Sequence, residues 1–427
     1  MMGQADQSQR LVPNLRFPEF RGARAWTPRV LSELLSEPKK RNRDLNYGPE
    51  HVLSVSGEYG CVNQIEFMGR SYAGVSVKDY HVVDTGDVVY TKSPLKMAPY
   101  GIIKANRGPC GIVSTLYAVY RPTADASAGY LDHYFSSSHN LNSYLQPLVK
   151  KGPKNDMKVK NSDVLTGTVY APDLIEQRKV ADCLSSLDAV IAEEGKRLEA
   201  LRAHKKGLMQ ALFPTEGQTT APLRFPEFRS AKEWTSAELG TVAEVKLGKM
   251  LDQKKAGSGQ SYPYLNNIAV RWNSINTSNL PEMDFLPHEL HRFGLIAGDV
   301  LVCEGGEPGR AAVWDGARPE VRFQKAIHRV RFHVPYEPEL FVTYLEAIAG
   351  TNSFKGILTG EGIKHLTREN FLKLKIPIIG CAERKKINST FVSLNEVIRD
   401  TTARIYALKT YKSGLMQQLF LPPAETA

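Results

Sequence analysis

Charged and amide side chains set among glycine and proline are the residues of this chain best suited to contact a ligand. In the N-terminal half they are Lys39, Lys40, Arg41 and Arg43, then Lys92, Lys104 and Arg107, then Lys151, Lys154 and Asn155 around Gly152-Pro153. In the C-terminal half they are Lys254, Asn267, Arg271, Arg310, Lys364, His365 and Arg368. Cations on flexible backbone neutralise phosphates, and Asn and Arg have the bidentate geometry that reads adenine and guanine edges. A run of charge is equally the mark of a solvated face. The balance of the whole chain favours a polyanionic partner: 55 Lys and Arg against 45 Asp and Glu give a net charge of +10, with a pI near 9.2.

Patterns for catalysis are missing. A base-flipping amino-methyltransferase needs an Asn/Asp-Pro-Pro-aromatic loop, and here Pro422-Pro423 is followed by Ala424. A nucleotide phosphate loop needs Gly-Lys followed by Ser or Thr, whereas Gly195-Lys196 precedes Arg197 and Gly248-Lys249 precedes Met250. His288-Glu289-Leu290-His291 has the wrong spacing for a zinc protease helix. His365 reads as a hydrogen-bonding loop residue. Gly305-Gly306-Glu307-Pro308-Gly309-Arg310 reads as a tight turn at a strand end, from which Arg310 could still reach a ligand. Cys61, Cys110, Cys183, Cys303 and Cys381 are odd in number and form no C-x-x-C pair, so they are expected reduced and buried, with neither a disulfide framework nor a metal site. No cofactor is expected. The polar start and the lack of an apolar run of ~20 residues predict no signal peptide and no membrane anchor, and a cytoplasmic address.

Two long helices must position these loops. Val180, Leu187, Leu201 and Leu208 form one apolar row and Leu184, Ile191, Leu198 and Leu212 the other, in the alternating three-four spacing of a coiled coil. Only Glu194 and Lys205 interrupt the rows. No proline lies between Pro172 and Pro214, so one helix of about 55 Å is expected. The rows recur 207 residues later as Ile387, Phe391, Leu394, Ile398, Ile405, Leu408, Leu415 and Leu419, with Thr401 and Lys412 at the polar places. A lead-in is duplicated as well: Leu15-Arg16-Phe17-Pro18-Glu19-Phe20-Arg21 before Trp26 reappears 208 residues on as Leu223-Arg224-Phe225-Pro226-Glu227-Phe228-Arg229 before Trp234.

The repeat predicts globule, rod, globule, rod, with boundaries at 10–172, 173–213, 214–222 (a linker), 223–380 and 381–420. Short β-branched runs punctuated by glycine predict strands at 52–55, 82–83, 88–90, 112–114 and 168–170, and at 242–245, 300–302, 311–314, 329–332 and 374–376, the last ending before Pro377. Helices are expected at 131–148 and 340–348, and each globule is an α+β unit rich in strands.

The ordered set of duplicated motifs resembles the DNA specificity subunit of type I restriction-modification enzymes over nearly the whole chain. It comprises the Leu-Arg-Phe-Pro-Glu-Phe lead-in before Trp, a Gly-Asp-Val strand, a basic loop, the Pro172 to Val180 helix start and the Gly-Leu-Met-Gln-x-Leu-Phe helix end. The second copy departs at its helix start, where Cys381-Ala382-Glu383-Arg384 stands and the proline is Pro377. The resemblance implies two target recognition domains related by a pseudo-twofold axis, separated by two long helices that form an antiparallel coiled coil. It further implies double-stranded DNA as ligand, two methyltransferase (M) subunits and restriction/translocase (R) subunits as partners, and no catalytic activity in this chain. Charge supports the antiparallel sense independently: parallel helices in register would set Lys205 against Lys412. The competing readings are a protein scaffold whose globules bind something other than DNA, and a self-sufficient methyltransferase.

Overall fold

The computed structural model describes residues 11–93, 97–151, 157–215, 218–251 and 259–423. Two helices of 39 residues each, Leu174–Leu212 and Cys381–Leu419, are about 58 Å long at 1.5 Å per residue. The chain forms two compact units, 1–194 with 404–427 and 195–403. Each unit thus holds the start of one long helix and the end of the other. No helix among the described residues is long and apolar enough to cross a membrane.

In the first unit Thr27–Val30 pairs antiparallel with Thr168–Ala171, and a four-stranded sheet runs Leu35–Ser36, Tyr117–Pro122, Val88–Thr91, Ile102–Ala105. In the second unit Thr235–Glu238 pairs with Lys375–Ile378, and the sheet runs Ala243–Leu247, Ile327–Phe332, Val300–Cys303, Ala311–Val313. The order is the same, so the duplication seen in the sequence edges extends to sheet topology. Gly86 and Gly298 start the third strand of each sheet at φ 90° and 88°, a conformation that only glycine adopts without strain. The aspartate that follows each is buried and bridges to an arginine on the neighbouring strand, Asp87 to Arg121 at 3.0 Å and Asp299 to Arg331 at 2.6 Å. That pairing explains why Gly-Asp-Val occurs twice.

The duplicated lead-in has an equally definite task. Arg16 donates through Nε and Nη2 to both oxygens of Glu176, at 2.8 and 2.7 Å, and to the carbonyls of Ala23 and Arg24, while buried Trp26 donates to Glu176 Oε1 at 3.3 Å. Arg224, Glu383 and Trp234 repeat the arrangement at 2.8, 2.5 and 2.9 Å. Both glutamates lie in the first turn of a long helix, where negative charge also meets the positive end of the helix dipole. The departure at the second helix start keeps this function. Buried Gln177 accepts from the N–H of Ser127, which caps the helix Ala128–Ser136; Arg384, at the same position of the repeat 207 residues on, binds Glu337, which precedes the helix Pro338–Ile348.

Both units show the long helices running antiparallel. In the first, Asp188 meets Lys412 at 2.5 Å and Glu194 meets Arg404 at 3.2 Å, so the sequence rises on one helix as it falls on the other. In the second, Phe213 at the end of the first helix stacks on Phe391 near the start of the second, with centroids 5.7 Å apart. Every one of Val180, Leu184, Leu187, Ile191, Leu198, Leu201, Leu208, Ile387, Phe391, Leu394, Ile398, Ile405, Leu408 and Leu415 is buried or half-buried. The helix ends enter the cores: Phe420 packs on Tyr130 and Tyr134, and Phe213 on Tyr344.

Several expectations change. The helix expected over 131–148 is two helices, Ala128–Ser136 and Ser138–Leu145, because Ser137 adopts extended backbone and its hydroxyl caps the second by accepting from Asn140 N–H. The last strand of the second unit passes through Pro377, which an outer strand tolerates because a two-stranded ladder leaves alternate N–H groups unused. Only Cys303 among the five free cysteines is buried; Cys61 and Cys183 are half-buried, Cys110 and Cys381 exposed.

Glu383→Gln leaves the Arg224 guanidinium largely buried beside a neutral amide, and removing one partner of such a pair costs about 3 kcal/mol. Chemical unfolding of the variant is expected to show a loss of that order in the second unit; a loss below about 0.5 kcal/mol would show that the clamp is not structural.

Candidate nucleic-acid interface

In the second unit the turn after the strand Val300–Cys303 is the centre of a loop cluster. Gly306 and Gly309 have φ of 80° and 90°. A side chain at Gly305 would come within 3.0 Å of His365 Nδ1, one at Gly306 within 2.9 Å of Asn267 Nδ2, and one at Gly309 would strike the Phe354 ring. The glycines therefore let Asn267 and His365 close over the turn. Asn267 Nδ2 donates to Gly305 O at 3.3 Å, Trp272 Nε1 to Glu307 Oε1 at 2.8 Å, and Leu366 N–H to Glu304 O at 2.8 Å. From below, buried His328 donates Nε2–H to Leu366 O at 2.7 Å; burial holds its pKa under the ordinary histidine value, so the ring is neutral.

This cluster brings Asn267, Arg310 and His365 together, with exposed Lys364 adjoining and exposed Arg271 on the hairpin Val270–Arg271/Ser274–Ile275 that continues from Asn267. Arg310 is spoken for: its side chain is 11% exposed, bound to Glu307 at 2.8 Å and to Asn267 O at 2.6 Å. In this arrangement it braces the turn. Arg368 is also set apart, donating Nε–H to Val245 O and lining a pocket with Glu238, Glu244 and His333. Lys254 lies outside the described residues.

In the first unit the segment from Lys39 to Arg43 is pinned by buried Asn42, whose amide donates to Tyr47 O at 2.8 Å and Val77 O at 3.2 Å. That anchor leaves Lys39, Lys40 and Arg43 exposed. Lys40 and Arg43 have only distant acid partners, Asp84 at 3.4 Å and Asp79 at 4.0 Å, pairs that solvent screens strongly. Arg41 is half-buried on Asp79 O. Behind it His81 is buried, and burial followed by the Arg41 charge pushes its pKa down to about 4. Lys92 is half-buried.

Lys104 and Arg107 both turn to Asp132, Lys104 from a buried position and Arg107 from an exposed one. Lys104 is buried and donates to Ser136 Oγ at 2.6 Å; Arg107 binds Asp132 at 2.6 Å and reaches Ser185 of the long helix at 3.1 Å. The strand Ile102–Ala105 must present alternate residues to the helix Ala128–Ser136, and Asp132 draws both cations there. Lys151 lies in the short strand Lys150–Lys151, paired with Met157–Lys158, while Lys154 and Asn155 lie outside the described residues.

Sequence reasoning missed the exposed apolar side chains beside these loops. Ile268 follows Asn267 and Ile363 precedes Lys364, 68% and 73% exposed. In the first unit Tyr59 and Phe67 pair at 5.2 Å and Arg70 lies 4.6 Å over Tyr72. The available signal was an apolar residue inside a polar loop, which periodicity does not detect. Among the described residues no group of three or more His, Cys, Asp or Glu is arranged to hold a metal ion.

No protein-family model matches the chain. It is 24% identical over 264 residues to the type I restriction enzyme MjaVIII specificity subunit of Methanocaldococcus jannaschii, across 58% of this chain and 60% of that relative; the chain thus spans about three fifths of the relative's length. In fold it is similar to the S subunit of a type I restriction-modification system from M. genitalium, with a TM-score of 0.62 and 12% identity over 97% of this chain and 100% of that one. A second similar structure, from work on complex assembly and conformational transition of the type I R-M system, gives a TM-score of 0.51 at 16% identity over 92% of this chain and 96% of that one. Sequence and fold thus agree on one resemblance, to the specificity subunits of type I restriction-modification systems.

Proposed function

We propose that this chain is the DNA-recognition subunit of a type I restriction-modification complex. Each unit reads one half of a split target, and the paired helices set the distance between the halves and dock methyltransferase subunits, two per chain. Restriction and translocation subunits join the same assembly, and the chain itself supplies no catalysis. It works in the cytoplasm on double-stranded DNA. The observation behind this reading is that two units with the same sheet order and the same Arg-Glu-Trp clamp differ in the loops they present: one sheet order repeated with two loop sets suits a reader of two different half-sites.

Phosphate neutralisation falls to the exposed cations, Lys39, Lys40 and Arg43 in the first unit and Arg271 and Lys364 in the second. Base edges fall, in this reading, to Asn267 and His365, which lie against the glycine turn. Arg271→Ala and Lys364→Ala are expected to weaken binding of the complex with methyltransferase subunits to its target, each lowering the slope of log affinity against log salt by about one unit. Lys104→Met, inside the first unit, is expected to lower stability and leave that slope unchanged. Band shifts across a salt series measure both, and an unchanged slope in the first two variants would remove those cations from the interface.

The helices as a spacer give a second expectation. Four residues inserted within 195–203 lengthen a helix by ~6 Å, close to two base pairs at ~3.4 Å each. Methylation mapping is expected to find a longer unread spacer between unchanged half-sequences; altered half-sequences would contradict the spacer role.

A further inference from the structure

The two lysines that interrupt the apolar seam are neutralised from different sources. In the first unit Lys412 Nζ meets Asp188 Oδ1 at 2.5 Å, an acid on the opposing long helix. The globular part turns His133 to that pair, 3.9 Å from Asp188 Oδ2, and its own Asp132 is occupied by Lys104 and Arg107. Burial, and then the charges of Arg107 and Lys412, push the His133 pKa down to about 3, so that the ring is neutral.

In the second unit the residue equivalent to Asp188, 207 positions on, is Asn395. Lys205, whose side chain is 7% exposed, finds Glu346 Oε2 at 2.5 Å instead. Glu346 belongs to the globular helix Pro338–Ile348. The same oxygen accepts from Asn273 Nδ2 at 2.8 Å, and Asn273 Oδ1 accepts from Asn395 Nδ2 at 3.1 Å. The cluster is therefore the counterpart of the Asp188–Lys412 pair, with the carboxylate moved from rod to globule. A buried ammonium that loses its partner carboxylate is strongly destabilised, whereas replacing the ammonium as well removes the penalty.

We propose that Glu346 is a key by which the second globule, and not the first, completes the charge balance of the rods. The first rod crossing is neutral by itself, so its place accepts a foreign recognition globule. A globule grafted into the second place must bring a carboxylate at the position of Glu346, or the rod must regain one at 395. This inference rests on the fold and is independent of whether the globules read DNA.

The test is thermal unfolding of the full chain, together with amide hydrogen exchange over 198–212. Glu346→Gln is expected to lower the midpoint of the second unit by on the order of 5 °C and to speed exchange in that segment. Adding Asn395→Asp, or adding Lys205→Met, is expected to restore both, and Lys205→Met alone is expected to be tolerated. An unchanged midpoint in Glu346→Gln overturns the proposal, as does failure of both second substitutions to restore it. Recovery with Lys205→Met but not with Asn395→Asp refutes the equivalence of rod and globule as sources of the acid. No readout involves DNA, so a failure here is separable from a failure of the proposed function.

Discussion

A 39-residue helix with an apolar seam cannot remain alone in water, and the burial of that seam is the constraint from which the rest of this structure follows. The chain meets it with a second helix of its own, laid antiparallel. Each unit takes the aromatic residue at the end of one long helix into its core: Phe420 in the first unit, Phe213 in the second. Because start and end of different helices meet in one unit, the first unit is built from two separate stretches of sequence, 1–194 and 404–427, while the second is the continuous stretch 195–403 between them.

The polar contacts serve that arrangement. Arg16 with Glu176 and Arg224 with Glu383 tie each lead-in to the first turn of its helix, so that the strand after Trp26 or Trp234 starts from a fixed place. Such buried pairs add little net stability over apolar packing, but they penalise any other seating of the helix strongly, since a displaced helix would leave a guanidinium without its acid. The loops that vary between the units are thereby free to differ without disturbing how each unit is held. The proposed reading of two half-sites is built on that separation of frame from loop.

Much of this frame was legible in the sequence. Heptad spacing revealed both rods, the 207- and 208-residue offsets revealed the repeat, and the clash of Lys205 with Lys412 indicated antiparallel pairing. In the structure these lysines find Glu346 and Asp188 instead of each other. What could not be read was which cations are free. Lys104, Arg107 and Arg310 look like any other basic loop residues, but their acids, Asp132 and Glu307, come near only through tertiary packing or a turn whose shape depends on glycine at positive φ. The break at Ser137 was hidden for a related reason: a serine inside an amphipathic stretch is neutral until its hydroxyl finds the N–H groups of a new helix.

The most direct measurement of the central claim, one chain reading two unlike half-sites at a fixed distance, is a genome-wide map of methylated bases in cells with and without this gene. The account predicts that one gapped motif, with two different halves and a constant spacer, loses its methylation when the gene is removed. Methylation that is unchanged, or lost from a continuous ungapped motif, would contradict it.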